Sequence, residues 1–181
     1  MKIKSGYLKL AGGFTLVEVI MSLVLLSISV VFMGMILVNV VTGFTKAKTN
    51  AIVVQKGQIA SLRMIKEFTY INRASVAAAS ATSITYTYYY PTPATSVTHK
   101  ISWSGVAGDP LVLDSDTTDG LAGQTLIDNV QSFVLSYYDT YNGASNATWN
   151  GSRRQIKFSL TVTGASSTTS LFSAKITPRN S

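Results

Sequence analysis

The sequence predicts an α+β protein in which one long N-terminal helix packs on a mainly antiparallel β-sheet. An almost wholly apolar run covers residues 14–41, and a second run with helical periodicity follows at 42–81. From residue 82 the apolar period changes from 3.6 to 2, which indicates strands joined by short polar loops. Such strands form a sheet with one solvated face, and its other face can receive the apolar stripe of the helix. We expect a single β-rich globular domain at 82–181.

The apolar run at 14–41 is long enough to cross a bilayer. It has 28 residues, which at about 1.5 Å of rise each span roughly 42 Å, against about 30 Å for the hydrocarbon core. Glu18 is its only charged residue. A carboxylate inside such a helix costs about 2.5 to 3.5 kcal/mol on insertion scales, so Glu18 is expected to have a partner. Cleavage after Gly13 would supply one, because it leaves a free amine on Phe14.

The run at 42–81 is predicted to be the amphipathic half of the same helix. We expect this helix to continue to about residue 73 and then to fray through the Ala-rich residues 74–81. Ile59 and Leu62 lie on the polar side and are either simply exposed or in contact with a neighbouring subunit. The predicted buried face carries Val53, Gly57, Ala60, Met64, Phe68 and Ile71, and the predicted polar face carries Lys56, Arg63, Lys66, Glu67 and Arg73.

Six segments with strand periodicity follow the helix. They are joined by loops rich in Ser, Thr, Asn, Asp and Gly, which favours antiparallel neighbours. The clearest alternation places apolar side chains at every second position from Ile156 to Val162. The segments are residues 84–90, 101–103, 111–113, 133–137, 156–162 and 172–176.

Charge and cysteine content restrict the function classes. The chain has 181 residues and no cysteine, which excludes disulfides, thiolate catalysis and Cys-ligated zinc. Three of the fifteen Lys and Arg residues lie in the first 13 positions and all eight acids lie beyond them, so residues 14–181 carry a net charge of only +4. Nucleic acid is therefore not an expected partner on charge alone. The early lysines favour a cytoplasmic N-terminus, with everything beyond residue 41 across the membrane.

The residues around Gly13 resemble the class III signal of type IV pilins and type II secretion pseudopilins. In this family a short basic leader ends in Gly, Phe follows, and Glu is the fifth residue of the mature chain. The leader here is 1–13, the cleavage pair is Gly13 and Phe14, and the acid is Glu18. The basic leader residues are Lys2, Lys4 and Lys9, and the continuing pattern is Phe14-Thr15-Leu16-Val17-Glu18.

The resemblance implies a processing and assembly pathway. A prepilin peptidase would cut between Gly13 and Phe14 and N-methylate Phe14, and Glu18 would act in assembly. Residues 14–41 would form the transmembrane and filament-core helix of a single-pass protein of the bacterial inner membrane, with its C-terminal domain in the periplasm. Expected partners are the bilayer before assembly, other minor pilins or pseudopilins, the major subunit and the inner-membrane assembly platform.

Four segments of the C-terminal half are similar to landmarks of the J-type pseudopilins and of their type IV pilus counterparts. The similarity implies a structural minor subunit at or near the tip of a pseudopilus or pilus, which initiates or supports filament assembly. The alternative is a membrane-anchored extracytoplasmic binding module that serves DNA uptake or adhesion. The segments are Leu126-Ile127-Asp128-Asn129-Val130-Gln131-Ser132-Phe133, Tyr137-Tyr138-Asp139, Arg153-Arg154-Gln155-Ile156 and Thr177-Pro178-Arg179-Asn180.

An acidic loop is the only candidate for metal binding. Asp114, Asp116 and Asp119 supply oxygen ligands at alternating loop positions before Gly120, as calcium prefers, but the spacing departs from an EF-hand and no bidentate Glu follows. A solvated hairpin loop is the simpler interpretation, and no cofactor is expected. His99 is the only histidine, and we interpret it as a polar strand position.

A group of basic and aromatic residues between 137 and 157 is a second candidate for binding. Cations interleaved with aromatic rings can hold single-stranded DNA, although a charged strand edge has the same composition. No nucleophile–base pair, phosphate loop or paired-carboxylate motif is present, so the chain is not expected to be an enzyme. The group consists of Arg153, Arg154, Lys157, Tyr137, Tyr138, Tyr141 and Trp149.

Overall fold

The computed structural model describes residues 13–88, 97–115 and 123–179. The chain forms two compact units, Met1–Thr45 and Lys46–Ser181. One helix, α1, covers Leu16–Thr69 and belongs to both. All described strands lie in the second unit and pair antiparallel. The predicted α+β class is confirmed.

Helix α1 begins with a Thr cap and ends earlier than its sequence predicts. Thr15 Oγ1 accepts a hydrogen bond from the Glu18 N–H (3.3 Å), which satisfies one of the free donors of the first turn. At the other end the Arg179 N–H donates to the Thr69 carbonyl (2.9 Å). The predicted continuation to residue 73 is wrong. Asn72 instead caps a short 3-10 helix at Arg73–Ser75 by accepting from the Ala74 N–H.

The Ala-rich segment 74–81 also differs from expectation, because part of it is a strand. Ala78–Ala79 forms β1 and pairs with the strand that contains Thr85. The Ala77 N–H donates to the Thr85 carbonyl (3.0 Å). Alanine has the highest helix propensity, but propensity is a weak prior that tertiary pairing overrides.

Among the described residues, the first sheet has five strands in sequence order. They are β1, β2 (Ser83–Tyr88), β3 (Val97–Ser102), β4 (Leu111–Ser115) and β5 (Gln124–Ile127). Three of the predicted segments lie in β2, β3 and β4, whereas β1 and β5 were not predicted. Residues 89–96, which include the end of the first predicted segment, lie outside the described residues.

The second sheet, in the part of the chain that the structure describes, has three strands and contains the last three predicted segments. They are β6 (Val130–Tyr138), β7 (Gln155–Thr163) and β8 (Thr169–Ile176), in the order β6-β7-β8. The chain crosses from the first sheet to the second at Asp128-Asn129. Asn129 has a φ of 54°, a left-handed conformation in which Asn is enriched.

The core lies between the second half of α1 and both sheets. The predicted inward face of the helix is confirmed, because Gly57, Ala60, Met64 and Phe68 are all buried. Three residues predicted to lie on the polar side of the helix differ in burial. Ile59 and Leu62 remain exposed on the outside of the helix, whereas Glu67, predicted to lie on the polar face, is completely buried.

Candidate functional site

The first candidate site is the apolar surface of α1 in the first unit. Every described residue from Gly13 to Thr49 is exposed, although most of them are large and apolar. No part of the most apolar 18-residue window of the helix is buried. By length and composition the segment is able to span a membrane. An apolar surface of this extent is not stable in water and requires lipid or protein around it.

Glu18 is the one ionisable side chain on this surface between Phe14 and Thr45. It occupies the first turn of α1, where the partial positive charge of the helix N-terminus favours a carboxylate. Its backbone N–H is bonded to Thr15 Oγ1, and its carbonyl accepts from Ser22 Oγ (2.7 Å). Thr15-Leu16-Val17-Glu18 therefore has the spacing of a capping box. This signal is readable in the sequence and was missed there.

The cleavage pair predicted at Gly13 and Phe14 lies just outside the helix. Neither residue is helical and both are exposed, and a Cβ added to Gly13 would meet no atom of the described residues within 4 Å apart from its chain neighbours. A protease active site requires a substrate segment that is accessible and not held in a helix, and both residues meet this requirement. The leader lysines Lys2, Lys4 and Lys9 lie outside the described residues.

The predicted calcium loop is only partly described. Asp114 is the fourth residue of β4, and its Oδ1 accepts a hydrogen bond from the Gly123 N–H (3.0 Å). Asp116 and Asp119 lie outside the described residues. Within residues 13–88, 97–115 and 123–179 no three His, Asp or Glu side chains are grouped closely enough to hold a metal ion. The calcium hypothesis stays a prediction.

The structure separates the predicted basic and aromatic group into two parts. Tyr137 is buried, where its hydroxyl donates to the Ser80 carbonyl (2.9 Å), and burial raises its pKa. Trp149 packs edge-on against it, with ring centroids 5.7 Å apart. Arg153 is paired with Asp139. Tyr138, Tyr141, Arg154 and Lys157 remain on the outside, and Lys175, which was not predicted, joins them.

A buried polar cluster between α1 and the first sheet was also missed. Glu67 Oε2 accepts a hydrogen bond from the Tyr86 hydroxyl (3.0 Å) and lies 2.8 Å from His99 Nδ1, while Arg63 Nη2 lies 2.8 Å from Oε1. Glu67, Tyr86 and His99 are at most 1% exposed. His99 is therefore a buried partner of a carboxylate and not simply a polar strand position. This buried carboxylate links the helix to β2 and β3 through Tyr86 and His99. Arg63 adds an ion pair within the helix, although Oε1 accepts no hydrogen bond in the described residues.

A scan against known protein families, a search of curated proteins and a search of solved structures each returned no match.

Proposed function

We propose that this chain is a minor pilin or pseudopilin. It is a structural subunit of an extracytoplasmic helical filament, at or near the tip of a type II secretion pseudopilus or a type IV pilus. It is held in the inner membrane before assembly, with its N-terminus in the cytoplasm and its second unit in the periplasm. Its partners are the prepilin peptidase, the assembly platform, the major subunit and the other minor subunits.

One observation supports the proposal. The helical surface from residue 16 to residue 45 is apolar and exposed, and its single carboxylate, Glu18, lies in the first turn. This turn begins shortly after Gly13-Phe14. In lipid this apolar surface is favourably solvated, but the carboxylate raises the free energy of membrane insertion. When helices of several subunits bundle, the apolar surface becomes buried between them. An unpaired carboxylate there would cost several kcal/mol. The amine created at Phe14 by cleavage removes that cost if it pairs with Glu18, in the same chain or in a neighbour.

The test is Glu18→Gln expressed in cells that carry the assembly machinery. We expect the variant to insert and to be cleaved like the wild type, because neither step uses the carboxylate. It should be absent from filaments sheared off the cell surface, because it cannot neutralise the Phe14 amine. The measurement is the fraction of the chain in the sheared filaments relative to the membrane fraction.

Two matched variants separate assembly from helix capping. Glu18→Asp keeps a carboxylate and should retain partial incorporation. Thr15→Ala removes the side-chain cap at a cost of about 1 kcal/mol but leaves the carboxylate, and it should still be incorporated. Wild-type incorporation of Glu18→Gln, or loss of incorporation in Thr15→Ala alone, would refute the proposed pairing.

A further inference from the structure

The outer side of the second sheet and the exposed loop ends beside it carry a group of cations and tyrosines, which we call the basic face. Tyr138, Lys157 and Lys175 belong to adjacent strands β6, β7 and β8, and alternate with the buried residues Tyr137, Phe158 and Ile176. Arg154 is exposed directly before β7, and its N–H donates to the Tyr138 carbonyl (2.8 Å). Tyr141 follows β6 and is 72% exposed. The basic face consists of Tyr138, Tyr141, Arg154, Lys157 and Lys175.

The pairing of β7 with β8 places two positive charges directly opposite each other. Lys157 and Lys175 are register partners, so their Cβ atoms are about 5 Å apart, and like charges at this position destabilise a sheet. In the part of the chain that the structure describes, no carboxylate forms an ion pair with Arg154, Lys157 or Lys175. An external anion would therefore supply the counter-charge that no described carboxylate gives to these cations.

The tyrosines orient one of these cations. Lys175 Nζ lies 3.7 Å from the ring centroid of Tyr138 and 4.9 Å from that of Tyr141, and it also donates to the Tyr141 carbonyl. These contacts hold the flexible Lys side chain in one place, so less entropy is lost when an anion binds. Tyr141, the more exposed of the two, presents ring surface beside the charges.

We propose that the basic face binds single-stranded nucleic acid. Arg154, Lys157 and Lys175 would contact successive phosphates, and a base would stack on Tyr141. Cations that follow the backbone, together with an aromatic ring as a stacking platform, are how sequence-independent single-strand binding is achieved. A second copy of the chain is a poorer occupant, because face-to-face pairing would bring six cations together. The inference does not depend on filament assembly, since binding is measured on the isolated chain.

The test titrates the purified full chain, in a neutral detergent, into a fluorescent oligothymidylate of about 15 nucleotides, and follows fluorescence anisotropy. Binding should weaken as salt is added. For three phosphate contacts, a plot of the logarithm of the association constant against the logarithm of the salt concentration should have a slope of about −2. Removing two cations in Lys157→Gln/Lys175→Gln should reduce the slope to about −0.7. Tyr141→Ala should weaken binding about fivefold or more and leave the slope unchanged.

The matched control is Lys46→Gln/Lys48→Gln, which removes two exposed lysines from α1 and changes the net charge equally. It should bind like the wild type. The thermal denaturation midpoint of each variant verifies that the fold is retained. Absence of binding, or an equal loss in the control pair, would overturn the proposal. The proposal would also be overturned if the chain bound phosphatidylglycerol vesicles or polyglutamate through the same lysines but did not bind the oligonucleotide.

Discussion

At the residue scale, Glu67 shows that a charged side chain can be buried when polar side chains pair with it. An isolated carboxylate in a core costs far more than a domain can tolerate, so burial requires partners that remain in place. Tyr86 and His99 supply two of them from adjacent strands, and Arg63 supplies a third from the preceding turn of α1. Phe68 packs edge-on against Tyr86, with centroids 6.2 Å apart, so the aromatic core directly adjoins the cluster.

Tyr86→Phe is expected to destabilise the second unit clearly. The substitution removes the hydroxyl that donates to Glu67 Oε2 and leaves that oxygen with one partner fewer. A hydrogen bond to a charged group is worth about 1.5 to 3 kcal/mol, which lowers the denaturation midpoint by several degrees. The control is Tyr141→Phe, the same change at an exposed position, which should shift the midpoint by less than a degree or so. Equal shifts for both, measured by near-ultraviolet circular dichroism of the full chain, would contradict the assignment.

At the element scale, α1 contacts the sheets through close packing, an ion pair and a hydrogen bond. Gly57 faces the ring of Phe172 in β8 so closely that a Cβ at residue 57 would lie 2.5 Å from Phe172 Cζ. On the solvent side, Lys56 Nζ lies 2.8 Å from Asp128 Oδ2 at the corner between β5 and β6. Asn50 Oδ1 also accepts from the Ala165 N–H (2.7 Å). The helix therefore contacts the corner before β6, the turn between β7 and β8, and β8 itself.

Gly57→Ala should lower stability even though Ala is the better helix former by about 1 kcal/mol. The new methyl group would overpack the contact with Phe172, which costs about 1 to 3 kcal/mol. Gly43→Ala is the matched control in the same helix, because its added Cβ would meet no described atom within 4 Å beyond its own stretch of helix. It should leave the midpoint of the second unit unchanged. Combining Gly57→Ala with Phe172→Leu should recover part of the loss. If Gly57→Ala stabilised the protein, the space between residue 57 and Phe172 would have to accommodate a methyl group.

The Lys56–Asp128 pair predicts a pH dependence. The hydrogen bond from Lys56 lowers the pKa of the Asp128 carboxyl. Because the pKa is lowered in the folded state, the pair stabilises the fold at pH values above about 3.9, the pKa of an Asp carboxyl in the unfolded chain. The contribution is lost as pH falls through the lower folded-state pKa. Both side chains are about half exposed, so we expect less than about 1 kcal/mol.

Asp128→Asn should therefore lower the denaturation midpoint slightly at neutral pH and leave it unchanged well below pH 4. The difference should also shrink in high salt, because exposed charges are screened. Lys56→Gln should reproduce the same pH and salt behaviour. A midpoint difference between wild type and Asp128→Asn that persists in acid would show that the contribution of Asp128 is not electrostatic.

At the scale of the whole molecule, the proposed function requires processing. Cleavage between Gly13 and Phe14 would remove thirteen residues, including all three leader lysines, and create the amine that Glu18 needs. The intact mass of the membrane-extracted chain should be lower by those residues in cells with the prepilin peptidase than in cells without it. Gly13→Leu should remain at full length, because a bulky side chain does not fit a protease site that accepts Gly. A mature chain that starts anywhere other than Phe14 would exclude the proposal.

Much of the architecture was readable from local patterns. A helical or strand period needs only neighbouring residues, so α1, its inward face and the strands β2, β3, β4, β6, β7 and β8 follow from the sequence. The single carboxylate in an exposed apolar helix and its Thr cap are likewise local features. The paired strand β1 was not predictable, because Ala78–Ala79 has helical propensity and becomes a strand only beside β2.

The sequence by itself determined the long helix, its apolar first half and the α+β class, because each depends on spacing along one segment. Only the tertiary structure decided that Glu67 lies inside, because its partners Tyr86 and His99 are 19 and 32 residues away. Only the strand register decided that Lys175 stands opposite Lys157. Contacts between distant segments depend on how the sheets and the helix pack, and no periodicity within a single segment specifies them.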